Sequence, residues 1–288
     1  MNKTEDSSTA PKQSGWKRLA IRVARTLAMS YVAIIILMVC FESRLLFPGA
    51  YKSGLNHDVT GPTAWSFDVE RDGVEQRLTG HWIEHPHPEH TVIFYHGNGT
   101  NATRQIPWGE RLSESWRANV LVAEYRGFVE SDVTPSEANV IEDSLAIFDG
   151  LCESEALRPE DVIVYGRSLG GGCGSAVAAQ RRIRALVLDR TFDSAAAVAS
   201  GRFPFVPVKL LMRNPFDSVE RLKDFRGPVV QIHGRSDRVV PFVNGQRLHR
   251  SLTTPNKLWI ERDDFGHLDR MPEETLQQAI RWIEEQAE

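Results

Sequence analysis

Gly166-Arg167-Ser168-Leu169-Gly170 decides how this chain is read. The five residues fit G-x-S-x-G, a turn in which a strand gives way sharply to a helix and a serine hydroxyl stands above the C-terminal edge of a sheet. The pattern alone is common, and its flanks give it meaning. Asp161-Val162-Ile163-Val164-Tyr165 before it is a short apolar, β-rich run, and Leu169 to Gln180 after it reads as a helix of small residues. Glycines at 166 and 170 have a steric reason, because a serine held in a strained turn needs neighbours without Cβ where strand and helix crowd together. Gly171, Gly172, Gly174, Ala176, Ala178 and Ala179 let that helix lie close on the sheet. The bland alternative is an ordinary Gly-rich βα turn.

Outward from the elbow the pattern is strand, loop, helix, repeated. The apolar runs predict strands at Thr91–Tyr95, Val120–Tyr125, Val162–Tyr165, Ala185–Leu188, Pro228–Ile232 and Lys257–Ile260, with helices near 102–116, 136–152, 169–181, 240–252 and 272–286. Continuous apolar strands alternating with helices imply an α/β fold whose mostly parallel sheet is covered on both faces. Ahead of it, Trp65–Glu70 and Gln76–Glu84, separated by Arg71-Asp72-Gly73, predict an antiparallel hairpin. His85-Pro86-His87-Pro88-Glu89-His90 has metal-binding residue types, but two interleaved prolines make a solvated loop the better reading.

Three features fall at predicted strand ends, where the catalytic groups of such sheets gather. His96-Gly97-Asn98-Gly99 follows the first parallel strand, in the position from which a loop supplies a backbone N–H to an oxyanion hole. Asn98 and Leu169, the residue after the serine, are the expected donor pair. Asp237 lies in Ile232-His233-Gly234-Arg235-Ser236-Asp237, just past a strand, and His267 in Asp264-Phe265-Gly266-His267-Leu268-Asp269, just past the last one. Imidazole titrates near neutrality, so it takes the serine proton and returns it to a leaving group, while a carboxylate fixes its tautomer. Asp189 and Asp193 are alternative acids. His233 and His249 are worse placed as bases, and His96 reads as structural.

These residues carry a family resemblance. His96-Gly97-Asn98-Gly99, Tyr125-Arg126-Gly127-Phe128, Pro135-Ser136-Glu137, Gly166-Arg167-Ser168-Leu169-Gly170-Gly171, His233-Gly234 with Asp237 and Val240-Pro241, and Gly266-His267 with Asp269 resemble the Bem46-like branch of the α/β-hydrolases over about residues 45 to 286. The resemblance implies the α/β-hydrolase fold, a Ser168–His267–Asp237 triad in the chain order Ser, Asp, His, and oxyanion donors at Asn98 and Leu169. It departs from the family pattern at Val129 and Val133, where glycine is customary, which alters the loop carrying Glu130 and Asp132. Phe192 to Arg226 stands where this fold inserts its cap. That insertion is short, with apolar residues from Phe203 to Val208 and at Leu210, Leu211 and Met212 suited to an acyl chain or to packing the cap onto the sheet.

The N-terminus adds a second signal. Residues 1–26 hold six basic and two acidic side chains, which leaves about −8 on the remainder of a chain whose net charge is −4. An acidic domain argues against a nucleic-acid partner. Leu27–Phe41 is uncharged and apolar, and at 1.5 Å per residue it covers about 22 Å, so it must recruit Leu19–Val23 or Leu45–Phe47 to span a bilayer core. Met38-Val39-Cys40-Phe41-Glu42 offers no small-residue cleavage site, which favours an anchor over a signal peptide. The positive-inside rule then puts the N-terminus in the cytoplasm and the domain on the extracytoplasmic side. The expected organisation is a basic tail over 1–26, a transmembrane anchor over 27–47 and an α/β domain over 48–288 with a cap at 192–226. Cys40, Cys152 and Cys173 form no disulfide framework.

The expected function is that of a membrane-anchored serine hydrolase of the esterase, lipase or thioesterase class. It would act on a small-molecule or lipid-like acyl substrate through an acyl-enzyme, with no metal or organic cofactor. A serine peptidase or an idle binding scaffold of the same fold are the alternatives. A dinucleotide site is the rival from another class: Gly97-Asn98-Gly99-Thr100-Asn101-Ala102 matches G-x-G-x-x-G/A, and Glu124 ends the next strand as a ribose ligand would. That reading leaves the elbow, Asp237 and His267 without a purpose.

Overall fold

The computed structural model describes residues 15–52, 59–71, 73–129 and 133–286. The tail residues 1–14 of the sequence reading, Asp72 of the hairpin turn, and Glu130 and Asp132 lie outside them. The chain divides into two compact units, one ending at Phe41 and the other beginning at Glu42.

The first unit holds helix α1, Gly15–Cys40, with no acidic residue in its sequence. Its 26 residues contain a window of mean hydropathy 2.1, and none of them is buried. At 1.5 Å per residue the helix is about 39 Å long, enough to cross a hydrocarbon core of about 30 Å. Of the two flanks the apolar run needed, the helix incorporates Leu19–Val23. Leu45–Phe47 belongs to the second unit, in which Leu45 and Leu46 end helix α2 (Glu42–Leu46) and Phe47 is fully buried against Phe128 and Phe216.

The second unit is an α/β sandwich. In chain order it contains β1 (Ala64–Arg71), β2 (Val74–Ile83), β3 (His90–Tyr95), α3 (Ile106–Trp116), β4 (Ala118–Ala123), α4 (Glu137–Ser154), β5 (Val162–Arg167), α5 (Leu169–Gln180) and β6 (Ala185–Asp189). Then come α6 (Ala195–Arg202), α7 (Val208–Leu211), α8 (Ser218–Leu222), β7 (Val229–Gly234), α9 (Phe242–Ser251), β8 (Lys257–Arg262) and α10 (Glu273–Glu285). The strands form one eight-stranded sheet in the order β1-β2-β4-β3-β5-β6-β7-β8. The hairpin β1–β2 and the β2–β4 pairing are antiparallel, and every pairing from β4 through β3 to β8 is parallel.

Alternation along the central strands fills two cores. Ile93 and Tyr95 of β3 face α4 and α5 together with Ile147, Phe148, Leu151, Cys173 and Val177. Val92 and Phe94 face α3 and α10, with Leu112, Trp116, Leu276 and Ile280. A period of two on a strand covered on both faces gives this division, and it explains why the strands read as unbroken apolar runs. Local signals set the helix starts: the Ser136 hydroxyl accepts the Asn139 N–H at 3.2 Å to cap α4, and Ser194 caps α6 by accepting from Ala197 at 3.0 Å.

The segment from Phe192 to Arg226, between β6 and β7, contains three short helices. Between α7 and α8 it is held by a buried carboxylate that the sequence presents only as the polar stop of an apolar run. Glu42 accepts the backbone N–H groups of Arg213 and Asn214 at 3.0 and 2.9 Å and the Asn214 amide at 2.7 Å. Asn214 in turn accepts the Glu137 N–H at 2.6 Å, so α2, the α7–α8 connection and the start of α4 share one polar knot.

Candidate active site

Ser168 stands where β5 ends and α5 begins, with φ +53° and ψ −119°. A non-glycine residue rarely adopts that backbone, and the surroundings enforce it. The Ser168 N–H donates to the Asp189 carbonyl at 2.9 Å, and the Thr191 hydroxyl donates to the Ser168 carbonyl at 2.7 Å. Glycine is required on both sides: a Cβ at 166 would lie 2.3 Å from the Gly170 carbonyl oxygen, and one at 170 would lie 2.0 Å from that of Tyr95. The strained turn is therefore bought by close packing of strand on helix.

The loop after β3 lies against the serine, close enough that a Cβ on Gly97 would meet the Ser168 Cβ at 3.3 Å. The Asn98 side chain donates to the Leu46 carbonyl at 2.6 Å and its carbonyl accepts from Gly49, which fixes the backbone at 98. Leu169 opens α5, so its N–H has no acceptor within the helix. Asn98, Ser168 and Leu169 line one cavity.

His267 Nε2 lies 3.1 Å from Ser168 Oγ, and His267 Nδ1 lies 2.7 Å from Asp237 Oδ2. With Asp237 a carboxylate, Nδ1 carries the proton and donates to it, and Nε2 is left to accept from the serine hydroxyl. The other oxygen of Asp237 accepts the N–H groups of Val239 and Val240 at 2.8 and 2.9 Å. Ser168 is 7% exposed and Asp237 6%, so the three groups meet in a nearly dry setting. His233 backs the acid loop: it is fully buried, burial lowers its pKa, and Nε2 donates to the Val240 carbonyl at 3.0 Å. Cys173, one turn into α5, offers no rival nucleophile because burial pushes its thiol up to about 11.

The alternative acids are otherwise engaged. Asp193 binds Asn244 and Arg247 at 2.8 and 2.6 Å. Asp189 is fully buried between two guanidinium groups, accepting from Arg167 Nε at 2.8 Å, Arg190 Nε at 2.8 Å and Nη2 at 3.1 Å, and the Tyr165 hydroxyl at 3.2 Å. Burial alone would raise its pKa, but Arg190 and Arg167 outweigh it and hold the carboxyl well below its ordinary range. Arg190 then reaches across with Nη1 to the carbonyls of Gly266 and Asp269, at 3.1 and 2.8 Å, on either side of His267. Asp189 and Arg190 thus tie the serine turn to the histidine loop. The sequence gives no local sign of this link, because Arg190 and Gly266 are 76 residues apart.

Glu124, the ribose ligand of the dinucleotide alternative, is turned inward. It accepts from Ala102 and Tyr125 N–H at 2.8 and 2.9 Å and lies 3.0 Å from His96 Nε2, so its oxygens serve the loop. In the histidine-rich connection, the His85 ring accepts from His87 N–H at 3.1 Å, and His90 pairs with Glu284 at 3.0 Å.

Because the Asp189 carboxyl is held below its unfolded value, the stability it contributes is complete above about pH 4–5 and drains as pH falls further. In Asp189→Asn, denaturant unfolding at neutral pH should show a loss of about 3–5 kcal/mol, since the buried Arg190 and the part-buried Arg167 lose their partner. The difference from the parent chain should then shrink as both are titrated toward pH 3.

The comparisons agree with this architecture. The family profile for the alpha/beta hydrolase fold matches residues 90–207. The chain is 30% identical over 227 residues to the protein YfhR of Escherichia coli O157:H7, covering 73% of this chain and 77% of that one. It is 27% identical over 216 residues to Bem46 of Schizosaccharomyces pombe, covering 70% and 71%, and 26% identical over 268 residues to WAV2 of Arabidopsis thaliana, covering 83% and 85%. Among solved structures, a Pyrococcus furiosus esterase superimposes with TM-score 0.61 at 18% identity, over 80% of this chain and 97% of that one. A Paleococcus ferrophilus monoacylglycerol lipase does so with TM-score 0.54 at 17% identity, over 72% and 98%. At those identities the structural likeness is one of fold, and the sequence relatives supply the branch. With an eight-stranded, mostly parallel sheet, a serine at the β5–α5 turn and these relatives, the chain belongs to the α/β-hydrolase family, in the Bem46-like branch.

Proposed function

We propose that this chain is a membrane-anchored serine hydrolase that cleaves carboxylic ester or thioester bonds through an acyl-enzyme on Ser168. The observation that carries the reading is the continuous chain Asp237–His267–Ser168, at 2.7 and 3.1 Å, ending on a serine with a left-handed backbone. Ser168 Oγ attacks the acyl carbonyl carbon while His267 Nε2 takes its proton. The carbonyl π electrons move onto the oxygen, which the N–H groups of Asn98 and Leu169 stabilise. When the tetrahedral adduct collapses, the bond to the leaving oxygen or sulfur breaks and the proton on Nε2 goes to that atom. Water then attacks the ester carbon, gives a proton to Nε2, and the second collapse returns that proton to Ser168 Oγ and frees the carboxylic acid. Asp237 stays ionised throughout and stabilises the imidazolium.

Support for an acyl substrate comes from the cavity beside the serine. It measures about 330 Å³ and its walls include Phe192, Val198, Phe203 and Met212. Support for the anchor comes from α1, which is apolar, unburied and preceded within its first turns by Lys17, Arg18, Arg22 and Arg25. That charge placement supports a cytoplasmic N-terminus with the hydrolase domain on the extracytoplasmic side.

Asp237→Asn should leave unfolding midpoints close to the parent while lowering turnover of a short-chain thioester by about 10⁴, because the amide holds the wrong imidazole tautomer. A loss of only a few-fold would remove Asp237 from the mechanism. Deleting residues 1–41 should give a protein that stays in the supernatant after high-speed centrifugation of membranes and keeps its turnover number. Sedimentation of that truncated chain with membranes would remove the anchor role from α1.

A further inference from the structure

The cavity beside Ser168 carries an electrostatic feature that an acyl site does not need. Among the described residues fourteen line it, and only two of those are ionisable: Arg202, at the end of α6, and Arg238, next to Asp237 in the acid loop. No Asp or Glu among the described residues contributes to the lining. Both arginines are exposed, and neither has an ion pair or side-chain hydrogen bond among the described residues. Most other arginines of this unit are spent on carboxylates, as in Arg71 and Arg126 with Asp143, Arg181 with Asp149, and Arg247 with Asp193. Arg202 has a partial structural reason, since a cation suits the carbonyl end of a helix. Arg238 is in no helix and lines the cavity, while the backbone N–H groups of the next two residues hold the acid. The domain carries a net negative charge, and the two cations at the cavity are of the opposite sign.

We propose that Arg202 and Arg238 are specificity-determining residues that select acyl substrates bearing an oxyanion, a phosphate or a carboxylate, outside the scissile bond. This rests on Ser168 being the nucleophile of the reaction proposed above. The acyl chain lies against Phe192, Val198 and Met212 in the interior of the cavity, and the anion stays at the mouth between the two guanidinium groups. Guanidinium suits the role, because its planar fork matches the oxygens of phosphate and carboxylate and stays charged at every working pH. The apolar rim beside the arginines, where Phe203 is 44% and Val239 55% exposed, completes a mouth for an amphipathic molecule with one charged end.

The test uses the full chain in a neutral detergent and two matched pairs of substrates. Octanoyl-coenzyme A against octanoyl-N-acetylcysteamine offers the phosphates on a soluble carrier, and 1-octanoylglycerol 3-phosphate against 1-octanoylglycerol offers one on a lipid headgroup. The parent chain should prefer the anionic member of at least one pair by about tenfold or more in kcat/KM, carried mainly by KM and weakened by added salt. The preferred pair identifies the source of the anion. Arg202→Gln and Arg238→Gln should each lower the anionic-to-neutral ratio, and Arg202→Glu with Arg238→Glu should bring it below one. Equal kcat/KM for both members of both pairs in the parent, or a ratio unmoved by every variant, overturns the specificity role while the neutral thioester is still hydrolysed. Failure to hydrolyse any of the four substrates overturns the hydrolase reading itself, and this proposal with it.

Discussion

The buried carboxylate of Asp189 is the point on which the rest of this structure turns. It sits at the end of β6, beside the strand that delivers the serine, and most of what it binds belongs to the site. Its backbone carbonyl holds the Ser168 N–H, its side chain holds Arg167 one residue before the serine, and its second partner Arg190 clasps the carbonyls around His267. A buried ion needs compensating partners, and here they are supplied from two loops that must then stay in register. A hydrogen bond of 3.1 Å between His267 and Ser168 depends on two elements 99 residues apart in sequence, and this network is what keeps them from drifting. The Arg190 guanidinium also lies 4.4 Å from the Phe265 ring centroid, which adds an apolar grip on the same loop.

Much of the site was legible in the sequence because its parts are local. A G-x-S-x-G turn, a His-Gly after the first parallel strand and Asp and His after the last two strands each have a signature within a few residues, and the sheet places all strand ends at one edge. Strand and helix positions followed from apolar runs, with shifts of no more than two residues except at the start of α3. Strand β4 is Ala118–Ala123 where Val120–Tyr125 was expected, because Glu124 and Tyr125 leave the ladder to serve the loop beside His96. Helix α3 begins at Ile106, four residues later than expected, because Thr103–Gln105 form a short 3₁₀ turn first.

What the sequence hid is long-range and polar. Glu42 looks like the end of an apolar segment and turns out to bind the connection between α7 and α8, 171 residues away. Arg190 looks like any surface cation and is fully buried. Asp189 passed for a spare catalytic acid, and only its two arginines exclude it. His233 sits in the same motif as Asp237, but nothing local shows that its ring braces the turn carrying the acid. No periodicity or motif announces such pairings, since each needs the fold before the partners meet.

The proposed acyl-enzyme chemistry requires Ser168 to be an activated nucleophile, and one measurement reaches that directly. The folded chain is treated with a fluorophosphonate and the modified peptide is located by mass spectrometry. An activated Ser168 gives a single covalent adduct, on Ser168, lost in Ser168→Ala and greatly slowed in His267→Ala. An unmodified serine in the folded chain, or an adduct on a different residue, contradicts it.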